Sequence, residues 1–198
     1  MSIAEKLTQI AENEQKVYEA GKNAEWNTFW DSYQDYGNRT DYTYDFYKNA
    51  KWNDNNFKPK YNIVLSGSTS YVFNGIQISG DLAETLENLG VSIDTSNATS
   101  LNNAFRQMDN CTRFPEINLT NIGAVGCMYN FYLNANLEAI DKIIFANDCK
   151  ATDFTGTLSR NPELKNLTID GKIGANGLNL SASKMLSKES ITSVINAL

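Results

Sequence analysis

The chain has 198 residues, 41% of them hydrophobic, a formal net charge of −6, a pI near 4.7 and no histidine. That length allows one large domain or two small ones. The acidic balance argues against nucleic acid as a partner, and the missing histidine removes the commonest general base, metal ligand and pH switch together.

Residues 2–34 read as a helix. Ser2 followed by Glu5 forms a capping box, in which the serine oxygen takes the Glu5 amide and the carboxylate reaches back. Ile3, Leu7, Ile10 and Val17, with polar Glu14 in the same series, recur at alternating four- and three-residue steps, flanked by Ala4, Ala11 and Tyr18. Two readings stay open: an amphipathic helix lying on its own domain, or a short coiled coil that holds an oligomer together.

Residues 26–61 hold 12 of the chain's 22 aromatics. Turn chemistry at Gly37-Asn38, Asn53-Asp54-Asn55-Asn56 and Pro59 separates them. One reading is a sugar-stacking surface built on Trp26, Trp30 and Trp52. The other, favoured, is an aromatic plug that seals the open end of a solenoid, because a loop-rich segment needs large apolar anchors to be ordered.

Tyr61-Asn-Ile-Val-Leu and Tyr71-Val-Phe-Asn-Gly-Ile-Gln-Ile, separated by Ser-Gly-Ser-Thr-Ser, predict a β-hairpin over 61–80. Asp81 caps a short helix with Leu82, Leu86 and Leu89 inward, and Gly90 ends it. Val91-Ser-Ile-Asp is then expected as the first short strand of a repeat region.

That region shows a weak internal period. Leu101–Thr120, Cys127–Ala146 and Phe154–Ile173 overlie with shifts of 26 and 27 residues. Apolar residues coincide in columns: Leu101, Cys127 and Phe154; Phe105, Phe131 and Leu158; Cys111, Leu137 and Leu164; Phe114, Ile140 and Leu167. Such a period marks a solenoid, in which each unit buries its apolar face only against its neighbours. The columns are predicted core, with Asn134 and Lys165 on the surface. A last helix, capped by Ser187, is expected over Lys188–Leu198 with Ile191, Val194, Ile195 and Leu198 on one face. The apolar final residue suggests a longer native chain or a docked terminus.

Catalytic constellations are absent from the sequence. No nucleophile has a histidine partner. Glycines 171, 174 and 177 around Lys172 lack the phosphate-loop pattern, and the Asn53–Asn56 run lacks calcium-loop spacing. The carboxylate pairs Asp31/Asp35 and Asp41/Asp45 read as solvated faces. Cys111 and Cys127 fall in apolar columns and read as buried thiols; Cys149 also reads as structural. No cofactor, metal or enzymatic activity is expected. The start of the chain lacks a secretion signal, and no apolar run is long enough to span a membrane, so no membrane partner is expected.

The repeats, with Phe-x5-Cys/Leu-x2-Phe/Ile/Leu spacing, resemble the BspA type of bacterial leucine-rich repeat over roughly residues 82–198. The stretch from Glu5 to Lys22, then Phe29-Trp-Asp-Ser-Tyr-Gln, Gly37-Asn-Arg-Thr-Asp-Tyr and Phe57-Lys-Pro-Lys-Tyr, resembles proteins encoded by phages and prophages of Gram-positive gut bacteria. Those proteins are commonly found among tail or virion-surface genes. The resemblance implies a structural or attachment protein located in the virion and made in the host cytoplasm, with no catalytic residues to carry over. It also implies virion proteins or a host surface as partners, and analogy with phage fibres suggests a trimer.

The expected fold is therefore α+β. Residues 1–60 would form the helix and aromatic cap, and 61–198 a leucine-rich-repeat-like solenoid truncated at its C-terminal end. Three functions are weighed: a virion attachment protein oligomerised through Ile3, Leu7, Ile10 and Val17; a carbohydrate-binding adhesin; and a phage-encoded inhibitor of a host protein.

Overall fold

The computed structural model describes residues 3–34, 46, 58–173 and 178–198, with side chains in the first helix described for 3–21 and Trp30. The chain divides into two compact units, Met1–Asn38 and Arg39–Leu198. Most of the aromatic segment, with Trp52 and the turn residues Gly37-Asn38 and Asn53–Asn56, lies outside the described residues, as do Ser2 of the capping box and the Trp26 side chain.

The first unit contains helix α1, Ile3–Gln34. Its sequence is rich in Ala, Glu, Lys and Gln, which lose little rotamer freedom in a helix. Side-chain bonds along it are local: Gln15 Nε2 donates to Glu19 Oε1 at 2.8 Å, one turn away, and Thr8 Oγ1 donates to the Ala4 carbonyl at 3.1 Å.

The second unit is a parallel β-solenoid of about four turns. Its elements in chain order are β1 (Ile63–Ser68), β2 (Gly80–Asp81), α2 (Leu82–Leu89), β3 (Ile93–Ser100), β4 (Cys111–Phe114), β5 (Ile117–Asn118), β6 (Ala139–Ile144), β7 (Asn166–Asp170) and α3 (Lys188–Ala197). Strand β1 pairs β3, β2 pairs β4, and β4, β5 and β7 all pair β6, every ladder parallel. Phe114 pairs Ile140, and Ile140 pairs Leu167. These are the shifts of 26 and 27 read from the apolar columns. All the column residues are buried, among them Cys111, Leu137 and Leu164 at 0% exposure.

The ladder continues where no strand is formed. Phe73 N–H donates to Ala104 O, Phe105 to Asn130 O and Phe131 to Thr157 O, at 3.0, 3.0 and 2.9 Å. Buried backbone donors are thereby satisfied through the turns as well as the strands. The phenyl rings follow the same register. Phe46, Phe73, Phe105 and Phe131 stack in succession at 5.0, 5.6 and 5.3 Å between centroids, with interplanar angles of 4°, 12° and 13°. Phe46, from the aromatic segment, thus extends the column by one member, and its N–H donates to Val72 O at 2.9 Å.

Two columns of left-handed backbone run beside the rings. Tyr71, Asn103, Tyr129 and Gly156 form one, with φ of 60°, 55°, 52° and 67°. Gly75, Gln107, Leu133, Arg160 and Ala182 form the other, at 73°, 57°, 62°, 60° and 60°. The members of the two columns lie four residues apart within each turn. Most are not glycine, so each costs on the order of 1 kcal/mol. Seven of the nine, all but Gly156 and Ala182, also donate their N–H to the next turn, as in Asn103 to Met128 O at 2.9 Å and Gln107 to Tyr132 O at 3.1 Å. The ladder holds the strained conformation in place.

Five expectations are corrected. Leu89 of α2 is 41% exposed rather than inward, while Leu82 and Leu86 are buried. The 61–80 hairpin does not form. Strand β1 pairs β3 in parallel, and 71–78 is a turn that carries Tyr71 and Gly75 in left-handed conformation around the solenoid. The apolar run was real, but it faces the core (Val72, Phe73, Ile76 and Ile78 are buried) rather than an antiparallel neighbour. The solenoid accordingly begins with β1, one turn before Val91. The first repeat is longer, pairing Ile63 with Ile93 and Ser68 with Ser100, because α2 is inserted between β2 and β3. That helix is capped as expected: Asp81 accepts from Glu84 N–H, and Gly90 closes it at φ 66°.

Asn134 is buried at 0%, not on the surface. Its Oδ1 accepts the Met108 N–H at 2.8 Å, its N–H donates to Asn161 Oδ1 at 3.0 Å, and the Asn161 N–H donates to Ser183 Oγ at 3.3 Å. These side chains form a polar rung inside the repeat. Finally, Ile191, Ile195 and Leu198 of the last helix are 46, 61 and 52% exposed, while Ser190, Val194 and Ala197 are buried. Helix α3 turns its serines inward because they close the β7 edge. Leu167 and Ile169 donate their N–H groups to Ser190 Oγ and Ser193 Oγ at 2.8 and 2.7 Å. An open strand edge is a template for aggregation, and these hydroxyls occupy it.

Candidate functional site

The sequence-predicted seam is the first surface of interest. Ile3, Leu7, Ile10 and Val17 are 80, 62, 54 and 74% exposed, and every side chain from Ile3 to Gly21 is exposed. The four are brought to one side of α1 by their spacing, since residues three and four apart are neighbours on a helix. Among the stacking candidates, Trp30 is 1% exposed. Its indole face is therefore not presented to a sugar.

No constellation of three or more His, Cys, Asp or Glu gathers as a metal site among the described residues. The three cysteines are free thiols. Burial pushes the Cys111 pKa up to about 12 and raises that of Cys127 as well, so neither is a ready nucleophile, because the thiolate is the reactive form.

A cleft of about 400 Å³ lies beside α2, lined by Leu86, Ile93, Asp94, Arg113, Glu116 and Asp141 among others. Arg113 is fully engaged there. Its Nε and Nη2 donate to Asp141 at 2.6 and 3.1 Å, and Nη1 donates to Asp81 at 3.2 Å. These carboxylates raise its pKa further. Glu116 is likewise paired with Lys142 at 3.0 Å, which raises the lysine pKa. Arg113, Asp141 and Glu116 of the cleft are thus bonded to charges of their own chain.

The turn edge is different. Arg106, Tyr132 and Arg160 come from three consecutive turns. The Arg106 guanidinium carbon lies 5.1 Å from the Tyr132 ring centroid and that of Arg160 lies 5.6 Å from it. Arg106 is also 6.0 Å from the Tyr129 ring, which meets Tyr132 edge-on at 5.1 Å and 84°. Tyr129 lies over Gly156, where an added Cβ would collide with its ring. Arg160 is exposed, and Arg106, Tyr129 and Tyr132 are half-buried. Sequence reasoning missed this group because it sought chemistry in linear motifs. The signal was present in the repeat: a shift of 26 places Arg106 directly under Tyr132.

No protein-family model, curated protein or solved structure matches this chain.

Proposed function

We propose that this chain is a phage virion surface protein, tail-associated, that self-associates through α1 and presents a leucine-rich-repeat solenoid to a virion or host partner. The carrying observation is the exposed seam Ile3, Leu7, Ile10 and Val17. Elsewhere the chain buries its apolar columns almost completely, so an exposed stripe at heptad spacing calls for a partner surface. A second copy of the same helix supplies one with matching spacing, and a trimer follows the analogy with fibres. The leucine-rich-repeat type and the α+β class belong to this reading, supported by the Phe-x5-Cys/Leu-x2 columns and by helices α2 and α3 packed on the strands of the second unit. The reading assigns no enzymatic activity.

Light scattering on the full chain, and on a chain beginning near residue 25, tests it. The full chain is expected to be oligomeric at micromolar concentration and the shorter one monomeric. If both are monomers, self-association through α1 fails. Mass spectrometry of purified virions tests the location separately: peptides of this chain should be present in them.

A further inference from the structure

We infer that the Arg106–Tyr132–Arg160 ladder on the turn edge of the solenoid is a docking surface for an extended acidic peptide segment of a partner protein. The inference rests on reading the solenoid as a presented scaffold and names what it would hold.

Three observations carry it. First, among the described residues neither guanidinium meets a carboxylate; the ion pairs there use Arg113, Lys142 and Lys165. Arg106 Nη1 donates to the neutral Asn103 Oδ1, at 3.0 Å, and its Nε is buried without an acceptor, so no carboxylate of its own chain neutralises it among the described residues. Arg113 shows the contrast, since its donors go to two carboxylates of its own chain. In a protein of net charge −6, two arginines without acid partners among the described residues, one on each neighbouring turn of Tyr132, form a local positive site on an acidic body.

Second, stacking on tyrosine orients the cations without consuming their donors. A guanidinium held over a ring keeps its N–H edge available in the plane, where it matches a carboxylate bidentately. Tyr132 is met by a cation from the turn before it and one from the turn after it. Tyrosine and arginine together are also the residues in which binding energy concentrates at protein interfaces.

Third, the spacing fits. The two arginines are two turns apart, about 10 Å at the usual strand separation. Carboxylates at positions i and i+3 of an extended peptide in the polyproline II form, which has three residues per turn, lie on one face and are separated by about 9 Å, at roughly 3.1 Å per residue. The backbone on this edge is rigid: Tyr129 and Arg160 occupy the left-handed columns, locked by N–H bonds to Thr155 O at 2.9 Å and Ser181 O at 2.8 Å. Little side-chain ordering would then be lost on binding, which favours affinity.

The test is fluorescence anisotropy of a labelled octaglutamate peptide titrated with the full chain at low ionic strength, with octalysine as control. Saturable binding of octaglutamate alone is expected, weakened about tenfold or more by Arg106→Gln/Arg160→Gln and weakened by added salt. Arg160→Gln alone, at an exposed position, should weaken binding several-fold while the thermal unfolding midpoint stays unchanged, which separates recognition from a purely structural stack. Absence of binding, or equal binding by both variants, overturns the inference. Binding of a sulfated oligosaccharide at these arginines, with none of octaglutamate, overturns it too. Light scattering on the same samples reports self-association independently, so failure of the docking surface is distinguishable from failure of the α1 reading.

Discussion

Helix α1 and the solenoid solve the problem of apolar residues in opposite ways. In the solenoid, Leu101, Phe105, Cys111, Phe114 and their counterparts are buried to 3% exposure or less by the turns above and below. In α1, Ile3, Leu7, Ile10 and Val17 stay more than half exposed, although the interior of a helix bonds its backbone within itself. A helix satisfies its hydrogen bonds locally and can exist without burying a face; a solenoid turn has no internal ladder and exists only against its neighbours. Substitutions should therefore unfold the second region and merely dissociate the first.

The sharpest division comes from core truncation. Leu137→Ala and Leu164→Ala are each expected to cost about 2–5 kcal/mol, because both side chains are fully buried. Lys165→Ala, which removes only a surface pair with Glu138 at 3.1 Å, should stay within about 0.5 kcal/mol. Urea denaturation of the three variants checks this. Equal effects would mean that turns do not depend on neighbouring turns.

Next in size is the polar rung. Asn134→Ala leaves the buried Met108 N–H without its acceptor, which should cost about 1–3 kcal/mol. A near-neutral result in the same denaturation assay would show that the repeat tolerates an open rung, and would weaken the contrast with α1.

A pH series addresses the same burial chemically. The folded pKa of Cys111 is raised from 9.0 to about 12 and that of Cys127 is also raised, both chiefly by burial. A raised folded pKa leaves stability intact below the unfolded value and removes it as pH rises toward the folded one. The urea midpoint should therefore fall from pH 9.0 upward. The fall should be shallower in Cys111→Ala/Cys127→Ala, and identical slopes would show that these thiols are not shielded.

Smallest is the effect on solenoid stability of changing Ile3, Leu7, Ile10 and Val17 together to serine. The denaturation midpoint of the solenoid should move by less than about 0.5 kcal/mol, as surface changes do. The mass measured by light scattering should drop to that of the monomer. A large loss of stability would show instead that the seam serves the fold of its own chain.

Much of the architecture was legible in the sequence because burial leaves a periodic trace. The columns at shifts of 26 and 27, the Asp81 and Ser187 caps and the heptad seam are all patterns of residue type along the chain. The misreadings arose where one local pattern serves two geometries. An apolar run over 71–78 fits a hairpin strand or an inward-facing turn, and only the neighbouring turn selects between them. Asn134 looks like a loop residue by type, and only the stacked amides of Met108 and Asn161 make it core. Amphipathic α3 offered two faces, and the unpaired edge of β7 chose the one carrying serine hydroxyls.

The candidate docking edge shows the same limit. Arg106, Tyr132 and Arg160 are far apart in sequence and belong to no motif. By itself the sequence determined a repeating core, because hydrophobic burial acts residue by residue at a fixed period. Which polar side chains meet across turns was decided only by the tertiary structure, because two columns of left-handed residues set the register of each turn against the next, and that register is a property of neighbouring backbones rather than of any one segment.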